Sequence, residues 1–266
     1  MAAIKPSFGN ENLNGPLSVG LVWAGLFNRG SGDFVTNVSG ASNNATVQTA
    51  PMSGNLWTTP AAPDLTALDF VGDISKRLEL ATNPVPTLGG GYTVVARIIP
   101  DVDTGVFVFS NNDDTFTNLQ DSLTIGAPFA PGTVSVRSRD GVGSALFVSA
   151  TSTSTITIGS PVTIGATFET GSSRSVWVNG VKEATNTSVL TTPSTNLVTI
   201  GGAGDLTPSN PFNGQIVFFY IYSRVLSDAE MLSIHNDPYQ MMVVGPSSPA
   251  PRNWNNHGWH RSFTQA

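Results

Sequence analysis

The sequence predicts an all-β sandwich of two antiparallel sheets, closed by one short helix near its C-terminal end. Three observations predict it. Short apolar runs recur along the chain and are separated by Gly, Asn, Asp, Ser and Pro, the punctuation of many strands joined by tight turns. Charged residues are only 11% of the chain, which leaves too few Lys, Glu and Arg to build extensive amphipathic helices. A single helix signal, Ser227-Asp-Ala-Glu230, stands close to the end. At 266 residues the chain is long for one domain but within the reach of a sandwich with extensions.

Taken in order, residues 1–16 read as an irregular N-terminal arm, and the sandwich as residues 17–240. Its first strand signal is the apolar run Leu17 to Phe27, ended by a turn at Asn28-Arg-Gly-Ser-Gly32. Leu65 to Val71, Arg77 to Leu80, and Tyr92 to Ile99 follow, the last opened by Gly89-Gly-Gly91 and closed by Pro100. Further runs are 105–109, 122–125, 133–137, 145–148, 155–158, 162–168, 175–178, 197–200 and 214–222. Together they make about a dozen strands. Ser227 and Glu230 can cap each other's amides reciprocally, Met231, Leu232 and Ile234 supply an apolar face, and Asn236-Asp-Pro238 stops the helix. His235 is expected at the helix C-terminus, where partial positive charge is favoured. Residues 241–266 form a Pro-rich tail whose stretch 245–252 can span about 25 Å as an extended spacer. Beyond it, Arg252, Trp254, Trp259 and Phe263 read as partner-binding residues.

Composition excludes several functions. A net charge of −6, with only 12 Lys and Arg, disfavours a nucleic-acid surface. Arg137 and Arg139, two apart on one strand face, read as solvated or paired with Asp. No apolar run reaches the length of a membrane span, and Met1 to Ser7 is not followed by the apolar segment of a secretory signal. The expectation is a soluble chain that folds where it is made. Zero cysteines exclude disulfides, thiolate nucleophiles and thiolate metal sites. The sequons at Asn37, Asn44 and Asn186 read as chance products of Asn/Ser/Thr-rich loops.

Several segments carry a family resemblance. Trp23 to Gly32 with Phe27, Gly30 and Gly32, then Asn43-Asn-Ala-Thr46, Trp57 and Leu68-Asp-Phe70, resemble the opening of concanavalin A-like domains of the laminin-G and pentraxin-like group. Ser175-Val-Trp-Val-Asn-Gly180 resembles that family's hairpin, with Trp177 in the aromatic place and Asn179-Gly180 suited to a type I′ turn. Ile200-Gly-Gly202, Phe212-Asn-Gly-Gln-Ile216 with Gly214, and Ser223 to Glu230 resemble its closing strand and helix. The resemblance covers roughly 17–240 and implies a concanavalin A-like jelly roll. Phe70, Trp177 and Phe212 read as core rather than ligand platforms.

Catalytic readings fail on residue type and spacing. The family's glucanases place paired carboxylates along one strand, whereas the five glutamates here, Glu11, Glu79, Glu169, Glu183 and Glu230, are scattered. Glu79 has no carboxylate two residues away. His235, His257 and His260 lack a nucleophile elbow, and Gly89-Gly-Gly91 precedes a strand rather than a helix. No catalytic residue, resident metal or cofactor is therefore expected. Related domains bind Ca²⁺ through loop oxygens, which makes Asn111, Asp113 and Asp114 the candidates, with a solvated turn as the competing reading.

Two function classes survive. The first is a virion structural protein, such as a bacteriophage capsid decoration protein, assembled in the host cytoplasm, partnered by a major capsid protein and forming a homo-oligomer. The absent signal, the absent cysteines, the Asn/Thr/Gly-rich surface and the terminal segments favour it. The second is a lectin-like module for surface glycans. It requires exposed aromatics beside polar groups, and Tyr220 with Tyr222, alternating with Phe219 and Ile221, is the pair weighed for that role.

Overall fold

The computed structural model describes residues 5, 12–28, 34–40, 44–47, 57–58, 66–73, 76–80, 82–85, 91–112, 119–126, 130–139, 147–169, 171–190, 195, 197–203 and 210–243. Gly30, Gly32, Asp113, Asp114, Arg252, Trp254, Trp259 and Phe263, singled out above, lie outside them.

The strands follow in chain order. The first seven are short: β1 (Asn12–Leu13), β2 (Leu21–Gly25), β3 (Phe34–Val35), β4 (Ala45–Val47), β5 (Trp57–Thr58), β6 (Ala67–Val71) and β7 (Leu78–Leu80). Next come the long β8 (Tyr92–Pro100), β9 (Val106–Asn112), β10 (Leu119–Ile125), β11 (Thr133–Arg139), β12 (Phe147–Thr155) and β13 (Val162–Glu169). The set ends with β14 (Ser173–Val178), β15 (Val181–Asn186), β16 (Leu197–Ile200), β17 (Asn213–Tyr222), helix α1 (Asp228–Asn236) and β18 (Met242–Val243).

They form two eight-stranded antiparallel sheets. One runs β12-β11-β10-β9-β16-β7-β4-β3, and the other β15-β14-β13-β8-β17-β6-β5, with β2 also pairing on β17. β17 serves two neighbours on one side, β6 along Asn213–Ile216 and β2 along Phe219–Tyr222. Its start needs a residue without a side chain, because Gly214 sits at φ 135° and a Cβ there would strike the Ile99 carbonyl and Pro100.

The main core lies between the sheets. Val94, Ala96, Ile98, Ile164, Ala166, Val176, Phe219 and Ile221 of one meet Val108, Leu123, Ile125, Val134, Val136, Val198 and Ile200 of the other. Phe70 and Phe212 meet edge to face at 6.0 Å inside it. Phe27, at a positive φ of 51° unusual for a bulky residue, is held there by the same core.

A second apolar layer covers the outside of the β17 sheet. Leu17, Leu21, Leu26, Trp177, Phe218, Tyr220, Tyr222, Met231, Ile234, Tyr239, Met241 and Met242 compose it. This removes the half-solvated sheet on which the Tyr220 and Tyr222 reading depended: Phe219, Tyr220, Ile221 and Tyr222 are all fully buried. The Tyr220 hydroxyl donates to the Pro238 carbonyl at 3.0 Å, and Tyr222 reaches Met241 Sδ at 3.5 Å.

The covering layer also crosses the boundaries drawn at 16 and 241, since β1 pairs with β18 and both Met241 and Met242 are buried. Lys5 of the arm is buried too, donating to the carbonyls of Thr66 and Val217. At the far end of this layer the β14–β15 hairpin turns on Asn179 (φ 50°) and Gly180 (φ 78°), the positive pair a type I′ turn requires. A Cβ on Gly180 would meet the Leu232 backbone of α1 at 2.8 Å.

Candidate functional site

In the β9–β12 sheet, Leu123, Ile125, Val134, Val136 and Ala150 point into the core, so the residues between them point outward. In register, Glu79, Thr199, Ser110, Ser122, Arg137 and Ser149 make one transverse row across that outer face.

Half of the row satisfies itself. Glu79 is held by Arg77 at 2.7 Å. Ser110 and Thr199 share a hydrogen bond of 2.6 Å, and Thr199 donates onward to the Gly202 carbonyl at 2.8 Å. Ser122 and Arg137 do not. Ser122 Oγ and Arg137 Nε, side chains of directly opposed residues, are both buried without a hydrogen-bond partner. A buried polar atom left unpaired costs about 1–3 kcal/mol, and two on adjacent strands mark a place that something else completes.

Phe147 sits beside them. It lies opposite Arg139 and diagonal to Arg137 on the edge strand β12, and the Arg137 guanidinium stands over its ring at 4.5 Å. With 44% of its surface exposed, it presents an aromatic ring to solvent. Burial first, then the neighbouring Arg139 charge, lowers the Arg137 pKa, so its charge is held at a cost. Arg137 is thus neither solvated nor paired with Asp, as its composition suggested, but stacked and partly buried.

On the inner side of the same sheet lies a buried polar network. Asp121 accepts from the Tyr92 hydroxyl at 2.7 Å and from Ser138 at 2.5 Å. Burial raises the Asp121 pKa, against the lowering effect of those bonds and of Arg174. Asn111 belongs here: it is buried and accepts from Asn83 at 3.2 Å. Its position facing inward, with its oxygen engaged, does not suit a loop Ca²⁺ ligand, and among the described residues no three acidic or His side chains gather.

Two concavities lie at the hairpin end. A cleft of about 570 Å³ is lined by Ser154, Thr155, Thr157, Pro161, Val181 and Glu183 among others. Glu183 is engaged there: one oxygen accepts from the amides of Thr153 and Ser154, each at 2.8 Å. Burial alone would raise its pKa, but these bonds outweigh it and hold the carboxyl below the usual range. A groove of about 300 Å³ runs between the hairpin and α1 over Trp177. The indole there is buried under Lys182, which stands 4.8 Å above the ring and bonds Asp228 at 3.0 Å.

Other expected residues have structural places. Phe70, Trp177 and Phe212 are buried. Asn179 clamps the hairpin by accepting from the Thr163 amide at 3.1 Å. Ser227 and Glu230 form the reciprocal cap of α1. His235, in the last turn of α1, meets Thr163 Oγ1 at 3.2 Å, and burial with the Arg97 charge pushes its pKa down. Burial, and after it the Asp101 charge, raises the Asp69 pKa, but Asp69 lies on β6 of the other sheet.

A family model described as the concanavalin A-like lectin/glucanases superfamily, of laminin-G type, matches residues 72–231, more than half the chain. The chain belongs to this superfamily. Among solved concanavalin A-like structures it is similar to the binding domain of Paraclostridial mosquitocidal protein 1, at 16% identity and a TM-score of 0.63 over 84% of this chain and 53% of that one. Domain 4 of AbnA, an extracellular arabinanase from Geobacillus stearothermophilus in complex with arabinotriose, matches at 16% identity and a TM-score of 0.57, over 81% of this chain and 98% of the other. The binding domain of botulinum neurotoxin DC in complex with SialylT matches at 10% identity and a TM-score of 0.57, over 82% and 51%. The chain spans about half the length of these toxin binding domains. At such identities the likeness is one of fold. No curated protein matches the chain by sequence.

Proposed function

We propose that the chain is a non-catalytic, lectin-like carbohydrate-binding module, and that it binds glycans on the outer face of the β9–β12 sheet around Phe147. One observation carries this reading: an exposed aromatic ring, fixed by a stacked guanidinium, stands beside two buried polar atoms that lack partners. Sugars present apolar C–H faces and rings of hydroxyls, so they need one flat apolar surface and a few fixed polar groups. Arabinotriose in the domain that aligns along nearly its whole length, and SialylT on the neurotoxin domain, support a glycan as ligand. Catalysis has no support at this face, since Glu79 is tied to Arg77 and Asp121 points into the core. Incubation with the same glycans should release no reducing sugar.

A polysaccharide panel in affinity gel electrophoresis tests the reading. At least one member should retard the protein, and Phe147→Ala should weaken that retardation about tenfold or more. No retardation by any glycan, or full retention in Phe147→Ala, contradicts it. A virion location with a capsid protein as partner is a proposal that rests on composition and the terminal segments alone. Capsid, portal and terminase genes beside this one are what it requires.

A further inference from the structure

Resting on that reading of the outer face, we infer that the glycan is acidic and that Arg137 receives its carboxylate. Arg97 and Arg174 also keep a buried Nε–H that is not hydrogen-bonded, but Arg97 lies on β8 of the other sheet, and Arg77, Arg174 and Arg224 are engaged inside the molecule. Arg77 meets Glu79, Arg224 forks onto both oxygens of Glu230 at 2.7 and 3.0 Å, and Arg174 donates to the carbonyls of Gly171 and Ser188. Among the described residues the Arg137 side chain has a ring contact and no hydrogen bond, and its Nε–H is buried and unmatched.

A guanidinium offers parallel N–H groups that fit the two oxygens of a carboxylate. Here the contact with Phe147 at 4.5 Å restrains the guanidinium in advance, which reduces the ordering that binding must supply. The opposed Ser122 hydroxyl is fully buried beneath them, whereas Arg139, next on the same face, adds a second positive charge. That charge acts on Arg137 already, alongside burial, and an anion relieves both penalties. A neutral sugar relieves neither. The chain as a whole carries −6, so an acidic polymer is repelled elsewhere and drawn to this face.

The full chain is to be titrated with polygalacturonate, alginate and polysialic acid, each beside its methyl-esterified or carboxyl-reduced form, and with neutral arabinan. At least one acid form should bind about tenfold or more tightly than its neutralised counterpart, with affinity falling as salt rises. Arg137→Gln should abolish that preference without changing the circular dichroism spectrum, and Arg137→Lys should restore only part of it, because charge returns without the fork. Equal binding of acid and neutral forms, or binding of arabinan alone, overturns the acidic assignment and leaves the glycan reading standing. Retention of the preference in Arg137→Gln overturns the role of Arg137. Binding of nothing in the set, together with an empty neutral panel, overturns both.

Discussion

Arg137 and Asp121 lie one strand apart on opposite faces of one sheet, and they show how a charged side chain is used in each direction. Asp121 faces inward and is satisfied by Tyr92 and Ser138. Asp121→Ala orphans both hydroxyls, and each costs about 1–3 kcal/mol, measurable as a lower urea midpoint. Its pKa is raised in the fold, so its contribution is fully present below the unfolded value and is lost as pH rises through the folded one. Asp121→Asn should therefore flatten a decline in melting temperature on the alkaline side of that transition, and an unchanged pH profile would show that the carboxyl is compensated by Arg174. Phe147→Ala, by contrast, removes a ring that is 44% exposed and should cost less than about 0.5 kcal/mol. Of the residues at the candidate site, the sequence shows only that Arg137 and Arg139 share a strand face. Phe147 meets Arg137 through the register of β11 on β12, and register is set by pairing across a loop that spacing alone does not determine.

At the level of elements, the long strands are legible because their apolar residues alternate or run together, as in β8, β13 and β17. β15 is not, since Val181-Lys-Glu-Ala-Thr-Asn186 is a mostly exposed edge strand with almost no apolar face. The helix is legible from its cap, and Ser227→Ala should lower stability by about 0.5–2 kcal/mol in thermal denaturation. Glu230 adds a pH signature. Its hydrogen bonds with Arg224, against burial and with help from Ser227, depress its pKa from 4.5 to about 2. Stability from this group is present above its unfolded value near 4.5 and is lost as pH falls toward 2. Glu230→Gln should thus shrink the drop in melting temperature between pH 6 and pH 3. A drop as large as in the unaltered chain would place acid sensitivity elsewhere.

For the whole molecule, the surprise is the third layer. Binary patterning identifies which strand faces are apolar but not that both faces of β17 are covered, because the cover comes from segments far apart in sequence, 17–26 and 226–242. This changes what truncation should do. Removing 241–266 takes away buried Met241 and Met242 and the β1–β18 pairing, and should lower the melting temperature. Removing 244–266 should leave it nearly unchanged. Equal effects of the two deletions would mean that this ribbon contributes nothing to stability.

The central claim is that glycans bind the outer face of the β9–β12 sheet, and the Arg137 Nε–H reports on it directly. A nitrogen–proton correlation spectrum recorded while titrating the tightest-binding oligosaccharide should show that resonance shifting together with amides of β10, β11 and β12, while those of the β14–β15 hairpin and α1 stay in place. Shifts gathered around Trp177 and Lys182, with Arg137 unmoved, would contradict the account.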